Sequence, residues 1–177
     1  ELQRYGANTL MSMARLGQGV VYREILEDVC SKLDVNYNPK STTETIELAL
    51  LMKVLEKSLD QMTQEELSAF SRTMQLGLTN PTPQLIIMAI QAAIRTSSLA
   101  ALELATVMSA GIITSLGGIA TWGTVVVASR ALSVIAGPVA IALSSAWMIS
   151  DITGPAYRVT IPACMIVAWL RQQHISR

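Results

Sequence analysis

Residues 104–129 read LATVMSAGIITSLGGIATWGTVVVAS and residues 131–150 read ALSVIAGPVAIALSSAWMIS. Together they make 26 and then 20 residues without a charge, bounded by Glu103 and Asp151 and interrupted only by Arg130. Each half is long enough to cross a hydrocarbon core, which takes about 20 apolar residues. Gly, Ala, Ser and Thr alternate there with Leu, Ile and Val, a composition that serves both buried soluble cores and tightly packed membrane hairpins. Length and apolarity thus predict a long C-terminal helical hairpin turning at Gly117–Gly118.

Outside that stretch the chain changes character. Hydrophobic residues are 51% and charged residues 15% of the 177, against about a quarter charged in an average domain. Residues 1–83 hold 8 basic and 11 acidic side chains (−3), whereas residues 84–177 hold 5 and 2 (+3). A single domain is expected, with amphipathic charged helices over 1–79 and apolar Gly/Ala-rich helices over 80–177. No basic cluster appears, so nucleic acid is not an expected partner. So few charges also predict that, if the C-terminal helices are not in a membrane, some of their apolar surface is hidden in a homo-oligomer or under a missing N-terminal segment. The opening ELQRYGANTL has neither an initiator Met nor a signal-peptide pattern, and predicts a fragment lacking an N-terminal segment.

Helical periodicity and caps run through the chain. A short helix is expected at Asn8–Leu16. A second carries Val21, Ile25, Val29 and Leu33 on one stripe and stops near Asp34. Ser41 with Glu44, and Thr63 with Glu66, have the spacing of capping boxes, opening helices that run to Leu59 and to Gly77. Thr82–Pro83 predicts the start of a helix of about 30 residues reaching Gly111. Helices over Ile119–Ala136 and from Pro138 to Gly154 follow, and Thr160 and Pro162 start a last one through Leu170. No run alternates long enough for a strand, so the class is all-α, a bundle of six or seven helices.

Candidate chemistry is sparse. The single histidine, His174, reads as a solvated tail residue, and any Ser-His-Asp or multi-histidine metal arrangement would depend on it. Cys30 and Cys164 have no CxxC spacing and read as buried reduced thiols. Glu65–Glu66 and Glu27–Asp28 are helix neighbours that point about 100° apart and face no common substrate. No catalytic residue, metal or cofactor is expected. Trp122, Trp147 and Trp169 lie one in each apolar C-terminal segment, where indole suits a membrane interface or a bundle core, the core being the preferred reading. The ladders Ala120, Thr124, Ala128 and Ala136, Ala140, Ser144 allow close helix approach. If the chain reverses at Gly117–Gly118, Glu103 and Arg130 come level, which predicts a salt bridge that avoids a stranded charge.

Three blocks, DITGPAYRVTIPA at Asp151–Ala163, ELQRYGAN at Glu1–Asn8 and VVYREILEDVCSKL at Val20–Leu33, carry a resemblance. In order and spacing they resemble the YaaW-like family of uncharacterised bacterial proteins, grouped distantly with the ubiquinol–cytochrome c chaperones. The resemblance implies a helical protein of the bacterial cytoplasm or the cytoplasmic face of the inner membrane, and singles out Asp151, Gly154, Pro155, Tyr157, Arg158 and Pro162 as a motif. Two departures stand out: Gly6–Ala7 replaces a usual Gly-Gly, and a usual further N-terminal segment is missing. Arg158 pairs with Asp151 or caps carbonyls on one reading, and contacts a phosphate or lipid headgroup on another. The expected function is a non-enzymatic, membrane-associating domain whose amphipathic helices shield an apolar hairpin, membrane-inserting or pore-forming. The competing expectation is a soluble chaperone-like module that holds an apolar segment of a partner protein.

Overall fold

The computed structural model describes residues 21–115 and 157–175, and these form six α-helices with no strand among them. They are α1 (Tyr22–Lys32), α2 (Thr43–Leu59), α3 (Gln64–Thr73), α4 (Pro83–Thr96), α5 (Ser98–Ser115) and α6 (Tyr157–Ile175). The all-α class holds. The expected helices at Asn8–Leu16, Ile119–Ala136 and Pro138–Gly154, the turn at Gly117–Gly118 and hence most of the apolar hairpin lie outside the described residues.

Helix α1 buries Ile25, Leu26, Val29 and Cys30, while Val21, placed on the stripe by its spacing, is exposed. The departure is positional: Val21 is the N-cap, with extended backbone, so the helical period does not govern it. The other end stops where expected. Asp34 takes a left-handed φ of 54°, the Val35 N–H bonds the Cys30 carbonyl at 2.9 Å and the Asp34 N–H reaches the Ser31 carbonyl at 3.4 Å, which is a Schellman closure. Buried Val35 then turns the chain back against the core.

Helix α2 is capped one residue later than its sequence suggests. Thr42, not Ser41, accepts from the Thr45 N–H, at 3.4 Å, and Glu44 is released from the expected box with Ser41. The cause lies in the preceding loop, where the Arg23 guanidinium donates to the carbonyls of Ser41 (2.9 Å) and Pro39 (2.6 Å) and also binds Glu27. The loop is thereby tied back to α1. Helix α3 does carry the Thr63–Glu66 capping box, both halves present. It ends at Thr73 rather than Gly77, because Gln75 adopts a φ of 51° and Leu76 donates to the Ser71 carbonyl at 2.9 Å, a second Schellman closure. Gly77, with a φ of 67°, serves the following loop instead.

Thr82 caps α4 with Pro83 in its first turn, as expected, yet the helix does not continue to Gly111. Ser97 is extended (φ −149°, ψ 127°), and the hydroxyls of Thr96 and Ser97 accompany the break. Thr96 bonds back to the Ala92 and Ala93 carbonyls, and the Ser97 hydroxyl accepts from the Leu99 N–H at 3.2 Å, so hydroxyls replace the helical ladder. Helix α5 then passes through Gly111 to Ser115. Helix α6 is already helical at Tyr157, ahead of Thr160, and its described part extends to Ile175, with Pro162 inside it. The proline ring removes the helical bond to the carbonyl of residue 158.

Helix α2 is the hub, packing against α1, α4, α5 and α6, while α6 also packs along α5 and α1. Leu50, Leu51, Leu55 and Leu59 of α2 are fully buried, each contributing about 2 kcal/mol of burial free energy. The first residues of the apolar stretch belong to this core: Leu104, Ala105, Val107 and Met108 are buried. Trp169 joins them as a core residue, its indole N–H donating to the Thr106 hydroxyl at 3.1 Å, which in turn donates to the Leu102 carbonyl at 2.8 Å. Among the described residues no helix is long and apolar enough to cross a membrane. Thr63→Ala should remove the α3 cap and lower stability by about 1 kcal/mol, read as a reduced urea midpoint at unchanged slope.

Candidate functional site

Glu47 is an acidic residue in the apolar stripe of α2, flanked on its face by Leu50, Leu51 and Val54, and it is 0% exposed. A carboxylate at such a position is costly unless its oxygens are occupied. Both are. The Tyr22 hydroxyl of α1 donates to Oε1 at 2.7 Å, and Arg171 Nε of α6 donates to Oε2 at 2.8 Å. Arg171 also reaches Glu44, one turn before Glu47 on α2, from Nη1 to Oε1 at 3.4 Å. The carbonyl of Cys164 lies 3.4 Å from the Tyr22 hydroxyl, whose one proton goes to the nearer carboxylate.

The junction's electrostatics follow from that geometry. Burial pushes the Glu47 pKa up, and the hydrogen bonds from Tyr22 and Arg171 with the Arg171 charge offset only part of the shift. Glu44 is held low by its backbone N–H and Thr42 and, less strongly, by the Arg171 charge. Burial alone would lower the Arg171 pKa, but the Glu47 hydrogen bond and the two nearby carboxylates outweigh it and raise it. Tyr22 is raised by burial first and then by Cys164 and Glu47, so it remains a proton donor. Cys30 and Cys164 are free and buried, as their spacing suggests, and burial first of all pushes both up to about 12. Thiols so protonated are poor nucleophiles. The cluster fastens three helices.

The residues singled out by sequence fall elsewhere. Glu103 sits on an exposed face of α5, while Arg130, Asp151, Gly154 and Pro155 lie outside the described residues, as do Trp122, Trp147 and the small-residue ladders. Tyr157 and Arg158 are the first two described residues of α6, and Pro162 is buried within it. His174 is exposed in the last turn of α6. Among the described residues no group of three or more His, Cys, Asp or Glu side chains could hold a metal. Tyr22, Glu44, Glu47 and Arg171 were not legible as a set. The available signal was Glu47 itself, a carboxylate on an otherwise apolar helical stripe.

The chain is 41% identical over 174 residues to a UPF0174 protein of Helicobacter pylori strain J99, covering 97% of this chain and 68% of that protein. It belongs to the UPF0174 family. A second UPF0174 protein of the same strain is 34% identical over 181 residues, covering 98% and 85% of the two chains. UPF0174 protein YaaW of Escherichia coli K12 is 27% identical over 172 residues, covering 97% and 68%. The likeness to YaaW seen in three short blocks therefore extends along nearly the whole chain. No family model and no solved structure matches it.

Removing one member of the junction strands the others. Arg171→Met should leave the Glu47 carboxylate with Tyr22 alone and lower stability at neutral pH by about 2–4 kcal/mol, toward the lower end for a guanidinium one-third exposed to water. Tyr22→Phe, Glu47→Leu and Arg171→Met together should recover most of that loss in urea unfolding, because an apolar replacement of the whole set leaves no buried charge.

Proposed function

We propose that this UPF0174 chain is a non-enzymatic, membrane-associating helical domain. The carrying observation is chemical: residues 116–150 contain a single charge, Arg130, and follow a helix whose preceding residues are already committed to an apolar core. A segment that poor in charge leaves water readily for hydrocarbon, at roughly 25 cal/mol for each Å² of apolar surface transferred. The helices α1 to α4 supply the charged exterior, and α6, latched through Arg171 to α1 and α2, supplies a fixed return point for the chain. On this reading the apolar hairpin is shielded in solution and released to the bilayer, inserting or forming a pore. The protein would act at the cytoplasmic face of the bacterial inner membrane.

A second reading has its own support. Residues 104–108 are core, and the exposed Leu85, Met88 and Leu99 leave apolar side chains on the outer side of α4 and the start of α5. Such a surface suits the apolar segment of a partner protein, as in a chaperone-like module, or a second copy of the chain.

Flotation with vesicles of phosphatidylcholine and phosphatidylglycerol separates the two. Full-length chain should rise with the vesicles, and Val126→Asp, which places a charge within the uncharged segment, should reduce the bound fraction at least several-fold while leaving the helical circular dichroism unchanged. Flotation of neither protein would rule against membrane association, and equal flotation of both would rule against the uncharged segment as its cause.

A further inference from the structure

Helix α6 is apolar on two sides. From Val159 to Leu170 it carries twelve residues without a charge, between Arg158 and Arg171. Ile161, Cys164, Met165, Ala168 and Trp169 are buried on the side that packs against α1, α2 and α5. Val159, Ala163, Ile166 and Leu170 recur four, three and four residues apart, which puts them on one stripe along the other side. Val159 and Leu170 are 42% and 50% exposed, and Ala163 and Ile166 between them are half-buried. A helix that is apolar all round is ordinarily covered all round, yet among the described residues both ends of this stripe are open to water.

The chain itself supplies an occupant. Residues 131–150, outside the described residues, are a second uncharged run, twenty long, and the six residues 151–156 link it to Tyr157. Seven steps of chain reach at most about 25 Å, so Ser150 stays within that distance of Tyr157 wherever the run lies. A link that short holds the run beside the stripe at a local concentration on the order of millimolar, an advantage that a second copy or a partner protein lacks. The length is sufficient as well: the stripe from Val159 to Leu170 extends about 17 Å, which twenty residues can span at helical or at extended rise. Neither surface brings a charge that contact would bury. Asp151 opens the link and Arg158 lies just beyond it, opposite in sign, so a reversal at Gly154–Pro155, residue types that punctuate turns, sets attraction rather than repulsion between the two sides.

We propose that, when no bilayer is present, residues 131–150 turn back onto the outer stripe of α6 and cover Val159, Ile166 and Leu170. This gives the shielding in the membrane reading a location and rests on that part of it, whereas entry of the run into a bilayer is the separate event that flotation measures. It also gives the stretch from Asp151 to Arg158 a physical task, that of reversing the chain so that two uncharged surfaces meet.

Thiol labelling of the full chain, free of lipid and detergent, tests the proposal. Leu170→Cys is compared with His174→Cys, exposed one turn further along α6, each reacted with a water-soluble maleimide and followed by mass spectrometry of the peptides that carry the new thiol. Cys30 and Cys164 are buried and give separate peptides. Leu170→Cys should react at least about tenfold more slowly than His174→Cys. Adding Val139→Asp and Ile141→Asp, which set charges in the run, should bring Leu170→Cys up to the His174→Cys rate and leave the latter as it was. Equal rates before the charges are added overturn the proposal. Slow labelling that the charges do not relieve, or that dilution relieves, overturns it too, since residues 1–20 or a second copy would then be the cover. If Leu170→Cys fails to fold, Val159→Cys at the other end of the stripe gives the same comparison with the same outcomes.

Discussion

A carboxylate closed off from water must have its partners in position, and at Glu47 those partners arrive from two other helices. Tyr22 lies 25 residues before it and Arg171 lies 124 after it, so one side chain of α2 fixes the relative placement of α1 and α6. Apolar packing is non-directional and tolerates small slides of one helix along another. Two hydrogen bonds of 2.7 and 2.8 Å to the two oxygens of one carboxylate do not. The burial of Leu50, Leu51 and Leu55 supplies much of the driving force, and Glu47 selects which arrangement of those leucines is adopted.

Around this point the helices are set by local devices. Two left-handed residues, Asp34 and Gln75, close α1 and α3 by the same pair of backbone hydrogen bonds, and the residues after them, Val35 and Leu76, turn inward. Arg23 holds the loop before α2 by its carbonyls, and Gln64 Nε2 reaches the Pro81 carbonyl at 3.0 Å to hold the loop before α4. The loops are therefore attached to the helices they follow, which limits how far α2 and α4 can move without breaking side-chain bonds. Charge is spent at these edges and at the junction, while the interior is left to aliphatic side chains.

What was legible in the sequence was whatever depends on near neighbours. The Thr63–Glu66 box, the Thr82–Pro83 start and the stop near Asp34 are settled within four or five residues, and each is found as read. The Ser41 cap is displaced because Arg23, 18 residues away, decides where the loop ends. Gly111 does not interrupt α5, since the packing of Leu104, Ala105 and Met108 against α2 and α6 outweighs the modest cost of one glycine, about 1 kcal/mol. The break at Ser97 was hidden because it comes with the hydroxyl bonds of Thr96 and Ser97 rather than from Gly or Pro. Glu47 could not be assigned from local pattern at all. A carboxylate on an apolar stripe signals a buried partner, but only the packing of α6 identifies that partner as Arg171.

The 124 residues between Glu47 and Arg171 also set an order of events during synthesis. At roughly 5–20 residues per second, about 6–25 s pass between the appearance of the carboxylate and that of its guanidinium. Through that interval α1 and α2 can form their turn and the Arg23 clasp, but closing their apolar faces fully would bury Glu47 beside Tyr22 without a counter-charge. The nascent α1 and α2 are thus kept from sealing prematurely, and α6, made much later, completes the core that they began.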